Sequence, residues 1–495
     1  MNKIGVLLLF CCISLKQVFA QVLPKEGSAL NYRLIGFSFP VAEKKNNCVI
    51  EIAPGNYYNE DSFEKNKINT LVCRTNRMIA KVPFWGKEYT WCVVCCDKGQ
   101  KPYRGALHHF STLLVPGLDT VSRRLRVTQA ARKYKDAFVM SDKFKVMYDM
   151  GGDAIWFLPQ KTDLSDTLYE IRDLKLSPQA SITFIHEGGI FEVNYNGNIL
   201  WQGPNTGEIS GSKSENFHHE FTRLQNGNYM ALGIERPERK PKQNETPAAD
   251  DKLFHTTLPL PTLIEYDSKG RLLWFWKSAN YFRHSDLVYY TRSGPVGVDV
   301  HSNSFYFDEE NKAIYISCKD ISRIIKIKYP EGTVMNVYGE VFKKGVQPKG
   351  NGLFCDQHSV RRSKNGYLYL YNNNPCDTGS YARVMEMLEA PAGKKGLKKI
   401  WEYECRPGGS YTPKEAAGGG GNVMELPDRS LFVSTGGPYC KIFIVNRNKE
   451  ILWEAVPEIY SANEKKWEAT SQYRSSIVVD PKMIEKLIWA GEEEQ

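Results

Sequence analysis

Nine histidines occur in the 495 residues, and three of them recur at one place in a repeating sequence unit. His219 stands seven residues before Asn226-Gly227, and His358 stands seven residues before Asn365-Gly366. His301 opens a comparable hairpin, His301-Ser302-Asn303-Ser304-Phe305-Tyr306-Phe307, whose turn is a few residues longer. In the last unit the same offset from Asp428 lands on Gly421, next to Asn422. An imidazole titrates near neutral pH and serves as nucleophile, base or hydrogen-bond donor. One histidine at a strand start most often satisfies a backbone carbonyl. Three at equivalent repeat positions place their side chains on one ring, facing a central channel where a small ligand would bind. His108, His109, His186, His255 and His284 have no such alignment and read as structural.

The elements that must carry these histidines are strands. One half of the repeat is strand, turn and strand ending in tryptophan, as in Phe191 to Trp201, Ile264 to Trp274 and Ile444 to Trp453, with weaker versions near Tyr338 and at Trp401. The other half is a hairpin around a polar turn at Asn226-Gly227, Asn365-Gly366 or Asp428-Arg429. Asn-Gly predicts a tight hairpin in which both central residues take positive φ. The halves recur about every fifty to seventy residues without helical periodicity, the pattern of propeller blades. A stack of sandwich domains is disfavoured because no Pro/Ser/Gly linker separates the units. Short β-rich runs before residue 135, such as Cys48-Val49-Ile50-Glu51-Ile52, predict a small separate domain. The fold expected is therefore all-β: a small amino-terminal β-sandwich-like domain over residues 21–135 and a propeller over 136–495. The stretch Arg236 to Asp251, rich in Pro, Lys and Glu, reads as an exposed loop.

Lys3 and an apolar run from Ile4 to Leu15, followed by Val18-Phe19-Ala20, read as a secretory signal over residues 1–20. That run is about a dozen residues, short of the roughly 20 that cross a bilayer, so export to the periplasm or beyond is expected, with no membrane span. Twelve cysteines, two of them in the leader, leave an even set that reads first as disulfides, Cys355 included. Cys92, Cys95 and Cys96 lack a second pair at zinc-finger spacing, so no metal is expected. The net charge of +9 is spread along the chain, which argues against nucleic acid as a partner. No cofactor motif is visible, and a homodimer is among the assemblies open to the chain.

From His218 to Thr435 the sequence resembles the bacterial arylsulfate sulfotransferases. The resemblance rests on His218-His219-Glu220-Phe221 with Leu224-Gln225-Asn226-Gly227, His301-Ser302-Asn303-Ser304 with Ile316-Ser317-Cys318-Lys319, Gln357-His358 with Asn365-Gly366, and Gly421-Asn422-Val423 before Leu426-Pro427. It implies a six-bladed propeller that moves a sulfuryl group from a phenolic sulfate ester to a phenolic acceptor through a sulfohistidine, without a nucleotide donor. It places the nucleophile on His358, supporting groups on His301 and Asn303, and a further histidine on His218-His219, of which the repeat alignment favours His219 as the one facing the channel; a histidine's titration near pH 6.5 makes His219 the candidate acid and base. Where the family has an arginine this chain has Lys319, a point charge without a two-pronged fork; Arg383 is the alternative cation. A non-catalytic propeller binding glycans or phenolics is the rival reading, since fold does not fix function.

Overall fold

A computed structural model describes residues 21–40, 48–73, 75–95, 102–114, 123–130, 133–159, 171–236, 259–282, 287–291, 294–297, 299–340, 352–374, 376–377, 379–391 and 396–493. The leader 1–20, most of the insert Arg236 to Asp251, Cys96, His255 and His284 lie outside the described residues. The chain divides into two compact units, Met1–Leu113 and Leu114–Gln495. Arg123–Gln129, grouped on the sequence with the amino-terminal domain, pairs along Ile451–Ser461 and so belongs to the second unit.

The first unit has a six-stranded sheet in the order Ser28–Leu30, His108–Thr112, Glu88–Cys95, Cys48–Pro54, Asn69–Cys73, with Tyr103–Arg104 beside Glu88–Cys95. A two-stranded sheet, Leu34–Ser38 with Arg77–Lys81, packs on it through Phe37, whose ring meets Trp91 edge-on at 5.1 Å. Cys48 and Cys95 are register partners on adjacent strands and form a disulfide. His109 is structural here, bonded to Glu26 at 2.8 Å and to the Tyr57 carbonyl at 2.9 Å.

The second unit is built from antiparallel sheets that follow one another along the chain. They begin at Ile171–Leu176, Phe221–Arg223, Ser302–Asp308, His358–Arg362 and Asn422–Glu425, and the first four of these run through four sequential strands. The sheet beginning at Asn422–Glu425 gains two further strands, Lys466–Ala469 and Arg123–Gln129. One sheet breaks the sequential rule: Phe138–Ser141, Val146–Asp149 and Ala154–Phe157 receive their remaining strand, Ser475–Val478, from the far end of the unit. This pairing joins the two ends of the unit through one sheet.

Tryptophans clasp several of the sheets to the next. Trp156 Nε1 donates to the Tyr195 carbonyl at 2.6 Å, Trp274 to Pro330 at 2.7 Å, Trp401 to Arg447 at 3.1 Å and Trp453 to Met150 at 3.0 Å. In each case the indole lies on the fourth strand of its sheet, and the acceptor lies in the turn before the fourth strand of the following sheet. Trp201 instead stacks on Tyr229 of the next sheet at 3.8 Å. Between the faces lie apolar clusters, for example Leu232, Leu263, Ile314, Ile316 and Ile325, all buried.

Two sequence expectations need correction. In the Asn-Gly hairpins only the glycine takes positive φ, 87° at Gly227 and 83° at Gly366. Gly227 N–H bonds Leu224 O at 3.0 Å while Leu224 N–H bonds Asn228 O at 2.7 Å. That is a type I turn followed by a left-handed residue, which needs one permissive position instead of two. Of the cysteines, Cys355–Cys376 is a disulfide as expected of Cys355, but Cys73, Cys92, Cys318, Cys405 and Cys440 are buried free thiols. They pack as small apolar residues; burial pushes the Cys318, Cys405 and Cys440 thiols up to about 12, far from a reactive thiolate.

Candidate functional site

The leading strands of the sheets converge, and Arg474, just before Ser475–Val478, lies where they meet. Its Nη1 stands 3.0 Å from Asp173 and 3.2 Å from Glu220, and its Nη2 donates to the Asn303 carbonyl. Three sheets thus share one buried guanidinium. Two carboxylates neutralise it, as burial of a charge requires.

His358 is the first residue of its strand and is buried. Its Nδ1 lies 2.6 Å from Asn373 Oδ1 and 3.0 Å from the Asp356 carbonyl, while its Nε2 accepts the Gly420 N–H at 3.1 Å. Both partners of Nδ1 are acceptors, so Nδ1 carries the proton and Nε2 the lone pair. Burial, and after it the Arg474 guanidinium, holds the pKa down at about 3. The imidazole is neutral throughout the physiological range.

His219 and His218 form a second imidazole pair. His218 Nε2 lies 3.3 Å from the Gly233 carbonyl, and the two Nδ1 atoms share a hydrogen bond. With His218 Nε2–H donating to the carbonyl, His218 Nδ1 is the acceptor and His219 Nδ1 the donor, which leaves His219 Nε2 unprotonated. Burial comes first in lowering both, His218 to about 4 and His219 well below the usual value with help from the His218 and His301 charges. His219 thus presents an unprotonated Nε2, and burial favours its neutral ring.

The His219 ring stands 5.1 Å from His301 and 5.4 Å from Tyr473, and Tyr473 stands 6.1 Å from His358. Tyr473 thus lies between His219 and His358, and His301 adjoins His219. Asn303 is fully buried and donates to the Gln357 carbonyl at 2.7 Å, so it anchors the backbone beside His358. Lys319 Nζ lies 2.7 Å from Asp320 and 3.6 Å from Asp356; burial opposes its charge, but these carboxylates outweigh that and raise its pKa. Asp299, His301 and Asp320 offer ligand atoms within 4.8 Å of one another, and the Lys319 ammonium already supplies positive charge at Asp320. Arg383 is not brought to the histidines: its guanidinium meets Ser380 at 3.2 Å and Glu402 at 3.7 Å.

Four residues of the cluster, Arg474 already described and three more, carried no mark that the sequence analysis singled out. Arg172 places its guanidinium 4.4 Å from the Tyr473 ring centre. It stands seven residues before Gln179, the same offset as His219 and His358 from their turns, and Ala180 takes the positive φ of 64° that Gly227 and Gly366 take. Tyr473 has a buried hydroxyl with no hydrogen-bond partner among the described residues, and burial raises its pKa to about 12. Asn373 holds His358 from the end of the neighbouring strand. A cavity of about 310 Å³ opens beside Tyr473, lined among others by Lys143, Arg172, Gly418, Gly419 and Gln472. That volume is at the lower end of small-molecule sites.

The family model described as Arylsulfotransferase (ASST) matches residues 120–391, more than half of the chain. The matched span holds Arg172, His218, His219, His301, Asn303, Lys319, His358 and Asn373; Gly420, Tyr473 and Arg474 lie beyond it. No curated protein matches the sequence. Solved structures similar to the chain include a protein of unknown function from Bacteroides caccae, at 10% identity over 67% of this chain and 93% of that one, TM-score 0.35. The gluconolactonase XC5397 from Xanthomonas campestris matches at 13% identity, 68% and 96% coverage and a TM-score of 0.31. Apo AztD from Citrobacter koseri matches at 9%, 87% and 98% coverage and 0.32.

Proposed function

The chain belongs to the arylsulfotransferase family, and from that membership we propose that it moves a sulfuryl group from a phenolic sulfate ester to a phenolic acceptor by a ping-pong route through a sulfohistidine on His358. The sheets of the second unit are read as the blades of a six-bladed propeller, supported by the end-to-end strand pairing and by tryptophan clasps at four of the sheet junctions. Export by a cleaved leader over residues 1–20 fits the two disulfides and the lack, among the described residues, of a helix long and apolar enough to cross a membrane.

The observation that carries the reading is the state of His358: a neutral, buried imidazole whose proton is held at Nδ1, with the lone pair of Nε2 on the other side of the ring. In the first step Nε2 forms a bond to sulfur as the sulfur–oxygen bond of the ester breaks, and the phenoxide departs with the electron pair. The ring keeps its Nδ1 proton and becomes cationic, with the Asn373 amide oxygen and the Asp356 carbonyl facing that N–H. Negative charge spread over the sulfuryl oxygens calls for nearby donors. Lys319 and His301, both expected on the sequence, are assigned that role; Arg172 and Tyr473 flank the approach. In the second step His219 Nε2 takes the proton of the acceptor phenol, its oxygen attacks sulfur, and Nε2 of His358 leaves with its lone pair restored.

A chromogenic aryl sulfate tests this. Phenolate release should rise with added phenol acceptor, and double-reciprocal plots at several acceptor concentrations should run parallel. Release of free sulfate at the same rate without acceptor would instead mark a hydrolase, and no release at all would leave a binding propeller.

A further inference from the structure

Asn373 contacts both His358 and the glycine segment that faces it. Its Oδ1 lies 2.6 Å from His358 Nδ1, and its Nδ2 donates to the Gly418 carbonyl at 2.8 Å and the Gly420 carbonyl at 3.1 Å. The two carbonyls fix which end of the amide is nitrogen, so Oδ1 must face His358. The same glycine segment returns the contact, because Gly420 N–H donates to His358 Nε2 at 3.1 Å. One amide therefore closes a circuit through both nitrogens of the ring.

The segment is glycine for a steric reason. A side chain at Gly420, where φ is +88°, would stand 3.0 Å from Tyr473, and one at Gly421, φ +87°, would stand 2.4 Å from the Tyr371 ring. The backbone is thus pressed between two tyrosines, and its placement depends on packing and on Asn373.

Resting on the sulfohistidine reading, we propose that Asn373 is the positioning residue of the reaction: it selects the Nδ1–H tautomer of His358 and holds Gly418–Gly420 so that the Gly420 amide keeps Nε2 an acceptor until the donor arrives. When Nε2 bonds to sulfur, the Gly420 amide retreats and the Asn373 oxygen stays on the Nδ1–H of the cationic ring. The neutral amide is suited to this. A carboxylate in its place would still accept from Nδ1–H, but it would repel both glycine carbonyls and favour protonation of the ring before attack. The charged and titratable groups around His358 are Arg474 before Ser475–Val478, Lys319 beyond Ala313–Cys318, Asp356 at the entry to its own strand, and the Tyr473 hydroxyl.

The test uses the full chain with nitrogen-labelled histidine, His358 being assigned by its loss in His358→Gln. Wild type should show His358 protonated on Nδ1 alone. Asn373→Ala should lose that single tautomer and lower kcat at least about tenfold, with the donor KM within about twofold. Asn373→Asp should keep the tautomer while the acid limb of kcat/KM moves toward neutral pH by about one unit or more, a change that a merely structural role would not produce. Retention of the Nδ1–H tautomer and of kcat within about twofold in Asn373→Ala, with no movement of the acid limb in Asn373→Asp, would overturn the proposal. If the wild type transfers no sulfuryl group, the functional reading fails, and the tautomer measurement still decides what Asn373 does to His358.

Discussion

Each histidine of the cluster has a distinct state, set by what its nitrogens touch. His358 offers Nε2 because two acceptors hold its proton at Nδ1, and His219 offers Nε2 because His218, itself tied to Gly233, accepts a hydrogen bond from its Nδ1–H and so holds the proton there. Neither needs to lose a proton at neutral pH. Removal of the base should act on one half-reaction: His219→Asn is expected to slow transfer to the acceptor by roughly 10²–10⁴-fold and adduct formation much less, most visibly with weakly acidic phenols. Burst kinetics separate the two, and equal slowing of both would contradict the assignment. With folded pKa values depressed by burial, protonation sets in only at low pH, so the acid limb of kcat/KM should lie well below the ordinary histidine value near 6.5. Of these residues His219 and His358 were legible in the sequence as one offset from a turn, and His301 as the head of a comparable, longer hairpin. Arg172 shares the offset and was missed because its turn, Ser177-Pro178-Gln179-Ala180, lacks the Asn-Gly signature. Asn373 carried no local signal, since its role comes from a neighbouring strand and from a glycine segment of the next sheet.

The repeating element owes its regularity to two local rules. A hairpin with one left-handed residue brings the leading strand to the centre, and an indole on the fourth strand fastens it to the next sheet. The tryptophans were visible as strand endings, but their acceptors were not, because each lies in another sheet's turn. Trp453 is fully buried and bonded to the Met150 carbonyl across the junction between the sheet beginning at Asn422–Glu425 and the sheet completed by Ser475–Val478. Trp453→Ala removes a large buried side chain together with that bond and is expected to destabilise the second unit by about 3–5 kcal/mol. Urea titration followed by far-ultraviolet circular dichroism would measure it. A loss under about 1 kcal/mol would mean that the clasp contributes little.

At the scale of the whole molecule, the site exists because the unit is closed by its own carboxyl-terminal strand. Ser475–Val478 pairs with Phe138–Ser141, and the two residues before it, Tyr473 and Arg474, are thereby set among residues from several other sheets. Strands, repeat and a convergent histidine ring could be read from the sequence because each is periodic. Closure could not: a strand that completes the first sheet has no hairpin turn after it, and so Tyr473 and Arg474 left no mark. The same non-local character explains the cysteines, where an even count suggested bridges and burial among apolar strands accounts for the free thiols instead. What the arrangement is for rests on one covalent bond. The protein should be mixed with an aryl sulfate in the absence of acceptor, quenched, digested and analysed by mass spectrometry. A sulfuryl group on the His358 peptide, discharged by a phenol and absent in His358→Ala, is predicted; an unmodified His358 during active turnover, or full activity of His358→Ala, would contradict the account.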